Sequence, residues 1–433
     1  MNNEKHIHIC PSKSDAERVI ICSYLTEIQN LADKESFDKA CKSAESRISN
    51  EGTSSDVLSI KECMKRILLY EIEKREGKIK EDEILTLNSG ASGASLRFLI
   101  PICAALEINA SIRYEGRRRS ITALKGELEK KGVKIEEFDE EVSVSGELLG
   151  GTFEIPGYIS SQFISGLMFS LPLTNKGGKI IIKGRLESAG YVDMTMESLK
   201  KSSIEISNIK SGYEVKGKQR YSFQSQYSVE GDWSNAAFWI AMNLMLSIGG
   251  GKKSELKKED LLKSPIEISG LDYNSLQPDK EILEILTRFI GADMNGNLAL
   301  KGDNVIDASS TPDIIPVISA VAGITEGTTL IINASRLRLK ESNRIETICD
   351  VLFSLGIDLE ETSDGLIIYG THKLRGAKVR SYDDHRIVMM AALISQLCPS
   401  KVFIENSDAI NKSYPEFKSE LRKLNLDTNI EWR

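Results

Sequence analysis

No Cys-x-x-Cys pair occurs among the seven cysteines of this 433-residue chain, which stand singly at positions 10, 22, 41, 63, 103, 349 and 398. An odd, scattered set argues against a disulfide framework, so structural thiols are expected. Histidine is scarcer still: there are four, only His6 and His8 lie close together, and a histidine-based metal site is not expected. Also absent is any apolar run of the roughly 18 residues that a membrane span requires, and the opening MNNEKHIHIC has no apolar signal core. The cytoplasm is therefore the expected location, with no membrane partner. Positive charge is not in excess. Against 63 Asp and Glu stand 56 Lys and Arg, a formal net charge of -7 that argues against a nucleic-acid partner. Any anion this protein binds must then be met by locally concentrated cations. The Lys of a GxxxxGK[ST] loop and a strand-GxGxxG unit with its trailing acidic residue are missing too, so nucleotide binding is unsupported.

What is present is a soluble, globular composition, 41% hydrophobic and 27% charged, in a chain long enough for two domains of about 200 residues. The apolar stretches repeat at long period. From Arg97 an apolar helix pattern (RFLIPICAAL) leads to a short strand, a loop and an amphipathic helix (ITALKGELEKKG). The same order returns from Gln162, Ser234, Asp313 and Arg386, and a degenerate, interrupted copy starts at Lys13. That makes six copies, three to a domain. Strands such as KIIIKG, TTLIINA and KVFIEN are short and apolar, which predicts an α/β fold with mixed sheets. The polar run KGKQRYSFQSQ is the expected internal boundary, giving one domain over 12–229 and a second over 1–11 and 230–433. The polar insert 33–55 is expected to be a mobile loop or a short exposed helix without chemistry of its own.

The non-periodic residues share an address, the start of a copy's first helix or the loop before its second. PSKSDAER places Ser12, Lys13 and Ser14 at a helix start, with Arg18 one turn in. That is either an ordinary Ser cap or an anion site, since free N–H groups and the helix dipole suit phosphate or carboxylate. NSGASGASLRFL is a Gly-rich turn in which Gly93 could let an anion approach the backbone. GRRRSI puts Arg119 in a loop; SSQF offers Ser160, Ser161 and Gln162 at another helix start; ESAGYVD adds Ser188 and Tyr191 in a loop. In the second half, TPD ends at Asp313, DDHR at Arg386, and NKSYP presents Lys412. SRLRLKESNRIE gathers Arg336, Arg338, Lys340 and Arg344 beside Glu341 and Glu346 within about three helical turns. It reads either as a solvated face of Glu–Arg pairs or as the wall of an anion site. Asp313 is by default a helix cap, yet surrounding Lys and Arg would keep it ionised and able to act as a base. Cations and hydroxyls far outnumber acids in this set. It suits two small polyanions, with an Asp–Glu pair for proton transfer.

In order, KSxxxR, SGAxxLR, RRSI, SSQF, SAGYVD, EGDWSNAAFW, PD, LKESNR, DDHR and KSYP resemble the 5-enolpyruvylshikimate-3-phosphate synthase family from Lys13 to Pro415. The resemblance implies two similar domains of three βαβαββ units each, an inside-out α/β barrel arrangement with the active site in the interdomain cleft. It implies transfer of the carboxyvinyl group of phosphoenolpyruvate to the 5-hydroxyl of shikimate 3-phosphate through a tetrahedral intermediate, with release of phosphate. No metal or organic cofactor is implied, and a monomer is expected. By position, Lys13, Ser14, Arg18, Ser160, Ser161, Gln162, Ser188, Tyr191, Asp313 and Lys340 would hold shikimate 3-phosphate. Lys13, Gly93, Arg119, Gln162, Arg344, Arg386 and Lys412 would hold phosphoenolpyruvate. Asp313 matches the family's base and Glu341 its acid, with Lys13 assisting. The chain departs from the family pattern at Arg336, where Asn is usual, at Ala91 and Ala94, where Asn and Thr are usual, and at Cys10–Pro11, where Gly precedes SKS. The alternatives are a UDP-N-acetylglucosamine enolpyruvyl transferase, which uses a Cys in the loop matching Tyr114 to Ile121 where none occurs here, and a non-catalytic anion-binding relative, expected to lose Asp313 or Glu341 first.

Overall fold

The computed structural model describes residues 5–31, 36–80, 82–118, 120–223, 226–248, 256–371 and 373–433. The chain divides into two compact units, Pro11–Val229, and Met1–Cys10 with Glu230–Arg433.

In the Pro11–Val229 unit, residues of alternating burial form two four-stranded sheets of one design. In the first, Leu85–Asn88 runs parallel to Ala110–Arg113, which pairs antiparallel with Glu141–Ser145, itself antiparallel to Lys134–Phe138. Leu85 and Leu87 face inward while Thr86 and Asn88 do not, the period-two pattern of a sheet covered on one face. The parallel pair needs a crossover, which the helix Gly93–Ala105 supplies, and Thr122–Glu129 links the second strand to the hairpin. The second sheet repeats order and direction with Gly151–Pro156, Gly177–Lys183, Gly212–Lys216 and Ile206–Ile209, and with helices Ser161–Ser170 and Ala189–Lys201.

The third copy in this unit is abbreviated. Its helices are Lys13–Asn30 and Ser55–Arg75, and its strand pair is Ile48–Ser49 parallel to Tyr227–Ser228, so its opening strand comes from the far end of the unit. The polar insert is more ordered than its composition suggests. Within it Phe37–Ser46 is a helix that buries Ala40, Cys41 and Ala44, and Ser23 Oγ donates to the Ala44 carbonyl at 2.8 Å. Small apolar residues at helical spacing gave it a packable stripe among the charges.

The second unit holds one complete copy, with strands Asn304–Asp307, Thr328–Ile332, Leu366–Tyr369 and Asp358–Glu361 in the same order and helices Ile315–Gly323 and Arg344–Ser354. The final copy ends differently. Lys378–Arg380, Val402–Glu405 and Ile430–Trp432 are all parallel, with a helix Phe417–Lys423 where four of the other copies make a hairpin. In the remaining copy, His6–His8 pairs parallel with Glu267–Ser269, and Ile290–Ala292 forms a hairpin with Leu298–Leu300. Each unit thus has a copy opened by a strand from a distant part of the sequence.

Most first helices are buried almost all round: Gly93–Ala105, Ser161–Ser170, Trp233–Ser247 and His385–Ser395 present nearly continuous apolar sequence and pack in the centre of their units. A central helix cannot send its polar residues to solvent through its sides. Its charged side chains therefore stand near its start, while hydroxyls further along, such as Ser165 and Ser395, are bonded within the unit.

Candidate active site

In the Pro11–Val229 unit the starts of five helices are tied to one another. Ser12 caps Lys13–Asn30, accepting from the Asp15 N–H at 3.4 Å, so here the cap reading holds. Lys13 Nζ meets Asp56 Oδ2 at 2.8 Å. Arg18, only 2% exposed, donates from Nε to Thr195 Oγ1 at 2.9 Å and from its terminal nitrogens to the carbonyls of Ser14 at 2.5 Å and Tyr191 at 3.0 Å, with its guanidinium 5.6 Å from the centre of the Phe98 ring. Arg18 therefore joins Ser14 to the first turn of Ala189–Lys201. Tyr191 lies inside that helix, not in the loop before it as expected, because Ser188 takes the N-cap place. It does so in the left-handed region, at φ 53°, which is uncommon for a residue with a side chain.

Ser160 caps Ser161–Ser170 by accepting from the Gln162 N–H at 3.2 Å. Gln162 Oε1 accepts in turn from Arg97 at 2.6 Å, and Arg97 also donates to the Ser120 carbonyl at 3.0 Å. Gly93 is the first residue of Gly93–Ala105, behind the cap Ser92. Lys13, Ser14, Arg18, Gly93, Ser160, Ser161, Gln162, Ser188 and Tyr191 are thus all carried at helix starts of one unit. Arg119 lies outside the described residues.

In the other unit the charge packet is not one helix. Ser335–Leu339 is a 3-10 turn, the chain then extends at Lys340, and Arg344–Ser354 begins a new helix. The break sorts the charges. Arg338 leaves for strand Asp358–Glu361, donating to Glu361 Oε1 at 2.5 Å and to the Thr362 carbonyl at 2.8 Å. Lys340 and Arg344 converge instead on Asp313, and Glu341 pairs with Arg344. Arg344, 1% exposed, donates to Asp313 Oδ1 at 2.7 Å, to Glu341 Oε2 at 2.7 Å, and through Nε to Asp384 Oδ2 at 2.8 Å. Lys340 Nζ reaches the same Asp313 oxygen at 2.9 Å. The cap reading of Asp313 fails, since Ile314 stands at the N-cap of Ile315–Gly323 and no side chain caps it.

Asp384 is fully buried. It caps His385–Ser395 through the Arg386 N–H at 2.9 Å and accepts from Ser342 Oγ at 3.0 Å. The Arg386 side chain donates to Asn235 Oδ1 at 2.8 Å, and Lys412 donates to the Asp383 carbonyl at 2.6 Å. Acids are therefore better matched to cations here than the sequence suggested. A guanidinium this deep is strongly disfavoured without carboxylate partners.

Burial alone would push the Asp313 carboxyl up, but Lys340, Arg344 and Arg386 outweigh it and hold it well below the usual carboxylate range. Burial lowers Lys340, helped by the charges of Arg344 and Arg336 and opposed by Asp313 and Glu341. Arg344 is raised against its own burial by Asp384, Glu341 and Asp313. Nearby Asp279 is pushed up to about 7, first by burial and then by the charge of Asp313.

Sequence reasoning missed Asp384, Asp56, Asn235 and Glu17. Asp384 stands inside DDHR and could have been flagged as a helix-start acid. Asn235 likewise lies within EGDWSNAAFW. No sequence signal ties Asp56 to Lys13 across the insert. Glu17 was visible only as a charge entering an apolar helix.

A sequence profile of the family described as EPSP synthase (3-phosphoshikimate 1-carboxyvinyltransferase) matches residues 2–421. The chain is similar to 3-phosphoshikimate 1-carboxyvinyltransferases of Clostridium acetobutylicum, 37% identical over 98% of this chain and 96% of that protein, and of Clostridium perfringens, 37% identical over 96% of this chain and 95% of that protein. Among solved structures it is similar in fold to an EPSP synthase from Acinetobacter baumannii, with a TM-score of 0.67 and 18% identity, covering 97% of this chain and 96% of the other. Repeated βαβαββ units, helix starts loaded with cations and hydroxyls, and a family match along nearly the whole chain agree: this chain belongs to the EPSP synthase family, the 3-phosphoshikimate 1-carboxyvinyltransferases.

Proposed function

We propose that the chain carries out its family's reaction, moving the carboxyvinyl group of phosphoenolpyruvate to the 5-hydroxyl of shikimate 3-phosphate, with Asp313 and Glu341 as the proton-transfer pair. One observation carries the assignment of roles. The two carboxylates share a single buried guanidinium, that of Arg344, which is itself assigned to phosphoenolpyruvate. A substrate carboxylate that takes Arg344 must displace them. Asp313 then loses one of the cations that hold its pKa down and becomes a competent base, while Glu341, released from Arg344, is free to carry a proton. Substrate arrival thus switches on the acid–base pair.

The steps then balance. Asp313 takes the proton of the 5-hydroxyl as that oxygen bonds to C2 of phosphoenolpyruvate, while the C3 methylene takes a proton from Glu341 and becomes a methyl group. The tetrahedral adduct still bears phosphate. Glu341, now ionised, takes back a proton from the C3 methyl group as the C2–O bond to phosphate breaks, which restores the double bond, and the proton held by Asp313 leaves with the phosphate. Lys13 assists at the departing phosphate, where a fixed cation stabilises the charge that develops.

Ser160, Ser161 and Ser188 are assigned to the shikimate phosphate, with Ser14, Arg18, Gln162, Tyr191 and Lys340 around the same substrate. The left-handed backbone at Ser188 supports this, because strain of about 1–3 kcal/mol persists where surrounding structure enforces it, often at ligand sites. Gly93, Arg119, Arg386 and Lys412 are assigned with Arg344 to phosphoenolpyruvate. We also place the protein in the cytoplasm as a monomer. All seven cysteines are free, five of them buried, as suits a reducing compartment, and no described helix is long and apolar enough to cross a membrane.

The test is phosphate release from phosphoenolpyruvate by the purified chain, expected only when shikimate 3-phosphate is supplied. Release with UDP-N-acetylglucosamine instead, or with neither acceptor, would refute the proposal.

A further inference from the structure

Glu17 is a carboxyl group that the proposed reaction does not use, 1% exposed in the first turns of Lys13–Asn30. Its Oε1 accepts from Ser92 Oγ at 2.9 Å and from Ser95 Oγ at 3.4 Å. Ser92 caps Gly93–Ala105, its hydroxyl oxygen accepting from the Ser95 N–H at 3.2 Å. One oxygen of Glu17 therefore grips both hydroxyls that flank Gly93 in the Gly-rich turn.

The charged groups that act on Glu17 are Lys13 and Arg18 from its own helix and Asp56 from Ser55–Arg75, while the Gly-rich turn from Ser89 to Ser95 brings only hydroxyls. Lys13 is already paired with Asp56. Burial pushes the Glu17 carboxyl up to about 7 and Asp56 adds to the rise, against the pull of Lys13, the Ser92 hydroxyl and Arg18.

We propose that Glu17 is a proton-linked positioning residue: it fixes the Gly-rich turn through Ser92 and Ser95, and it takes up a proton when an anionic phosphate group settles on Lys13 and Gly93. The inference rests on the assignment of those two residues to phosphoenolpyruvate. An ionised Glu17 opposes an arriving anion and competes for the field of Lys13. Once Lys13 turns to the anion, Glu17 loses its main source of charge stabilisation and its neutral form is favoured. Linkage makes the effect reciprocal, so an anion binds more tightly where Glu17 is protonated, below about pH 7.

The experiment compares the KM for phosphoenolpyruvate, at saturating shikimate 3-phosphate, between about pH 6 and about pH 8 in the wild type and in Glu17→Gln, which retains an acceptor but cannot ionise. Taking the ratio of the two enzymes removes the substrates' own titration. The wild-type KM is expected to rise about two- to fivefold relative to the variant across this range, the part of a shift of about half to one pKa unit on binding, starting from about 7, that falls between these two pH values. A purely structural role would give a flat ratio, which overturns the inference. Should Glu17→Gln fail to fold, Ser92→Ala removes a donor that favours the ionised form and should move the KM transition to higher pH; an unmoved transition overturns it equally. Calorimetry of inorganic phosphate binding in two buffers of different ionisation enthalpy reads the proton directly and requires no turnover. Greater proton uptake by wild type than by Glu17→Gln supports the inference even if acceptor-dependent release fails, whereas equal uptake or no phosphate binding contradicts it.

Discussion

Glu341→Gln is expected to lower kcat by about 10²- to 10⁴-fold, the range for losing a general acid, while the KM for phosphoenolpyruvate stays level or falls. The sign of the KM effect follows from Arg344. Glu341 Oε2 accepts from that guanidinium at 2.7 Å, and so would compete with a substrate carboxylate bound to Arg344 as proposed. An amide oxygen is a weaker acceptor for a cation than a carboxylate, so the competitor is weakened as the acid is lost. Steady-state kinetics with each substrate varied separates the two effects. A raised KM with kcat preserved would assign Glu341 to uniform binding and remove it from the chemistry.

Asp384→Ala is expected to be the most damaging substitution to stability, costing about 3–5 kcal/mol in denaturant unfolding of the full chain. The fully buried Asp384 holds the Nε and a terminal nitrogen of Arg344, the hydroxyl of Ser342 and the Arg386 N–H at the start of His385–Ser395. Alanine leaves a buried guanidinium short of a partner and removes a cap, itself worth about 1 kcal/mol. Asp384→Asn keeps the cap and one neutral acceptor, so it should fall between the two. A loss below about 1 kcal/mol for the alanine variant would mean that Asp313 and Glu341 suffice to hold Arg344. The same variant should weaken phosphoenolpyruvate binding, because Arg344 would no longer be fixed in place.

Much of this arrangement was legible in the chain. The sixfold alternation of apolar helix, short strand and amphipathic helix is visible without any structure, because a buried first helix must be apolar on every side and so contrasts with the second. The clustering of Lys, Ser and Arg at helix starts follows for the same reason. What could not be read was tertiary. Nothing local shows that His6–His8 would open a copy whose helix begins at Trp233, or that Tyr227–Ser228 would do so for the copy at Lys13. Arg338 and Arg344 look equivalent in SRLRLKESNRIE, and only the turn at Lys340 sends one to Glu361 and the other to Asp313. Asp384 was overlooked, though its place in DDHR allows a helix cap and it is one; its second role, holding Arg344, depends on two helices meeting. Arg336, where the family usually has Asn, sits in the 3-10 turn and adds its charge to the field at Lys340.

The most direct measurement is the identity of what forms when the purified chain is given phosphoenolpyruvate and shikimate 3-phosphate together, followed as phosphate released and as the mass of the acceptor. The predicted result is one phosphate for each shikimate 3-phosphate converted to its carboxyvinyl ether, and none with UDP-N-acetylglucosamine. Phosphate release without change in the acceptor, or conversion of UDP-N-acetylglucosamine in its place, would contradict it.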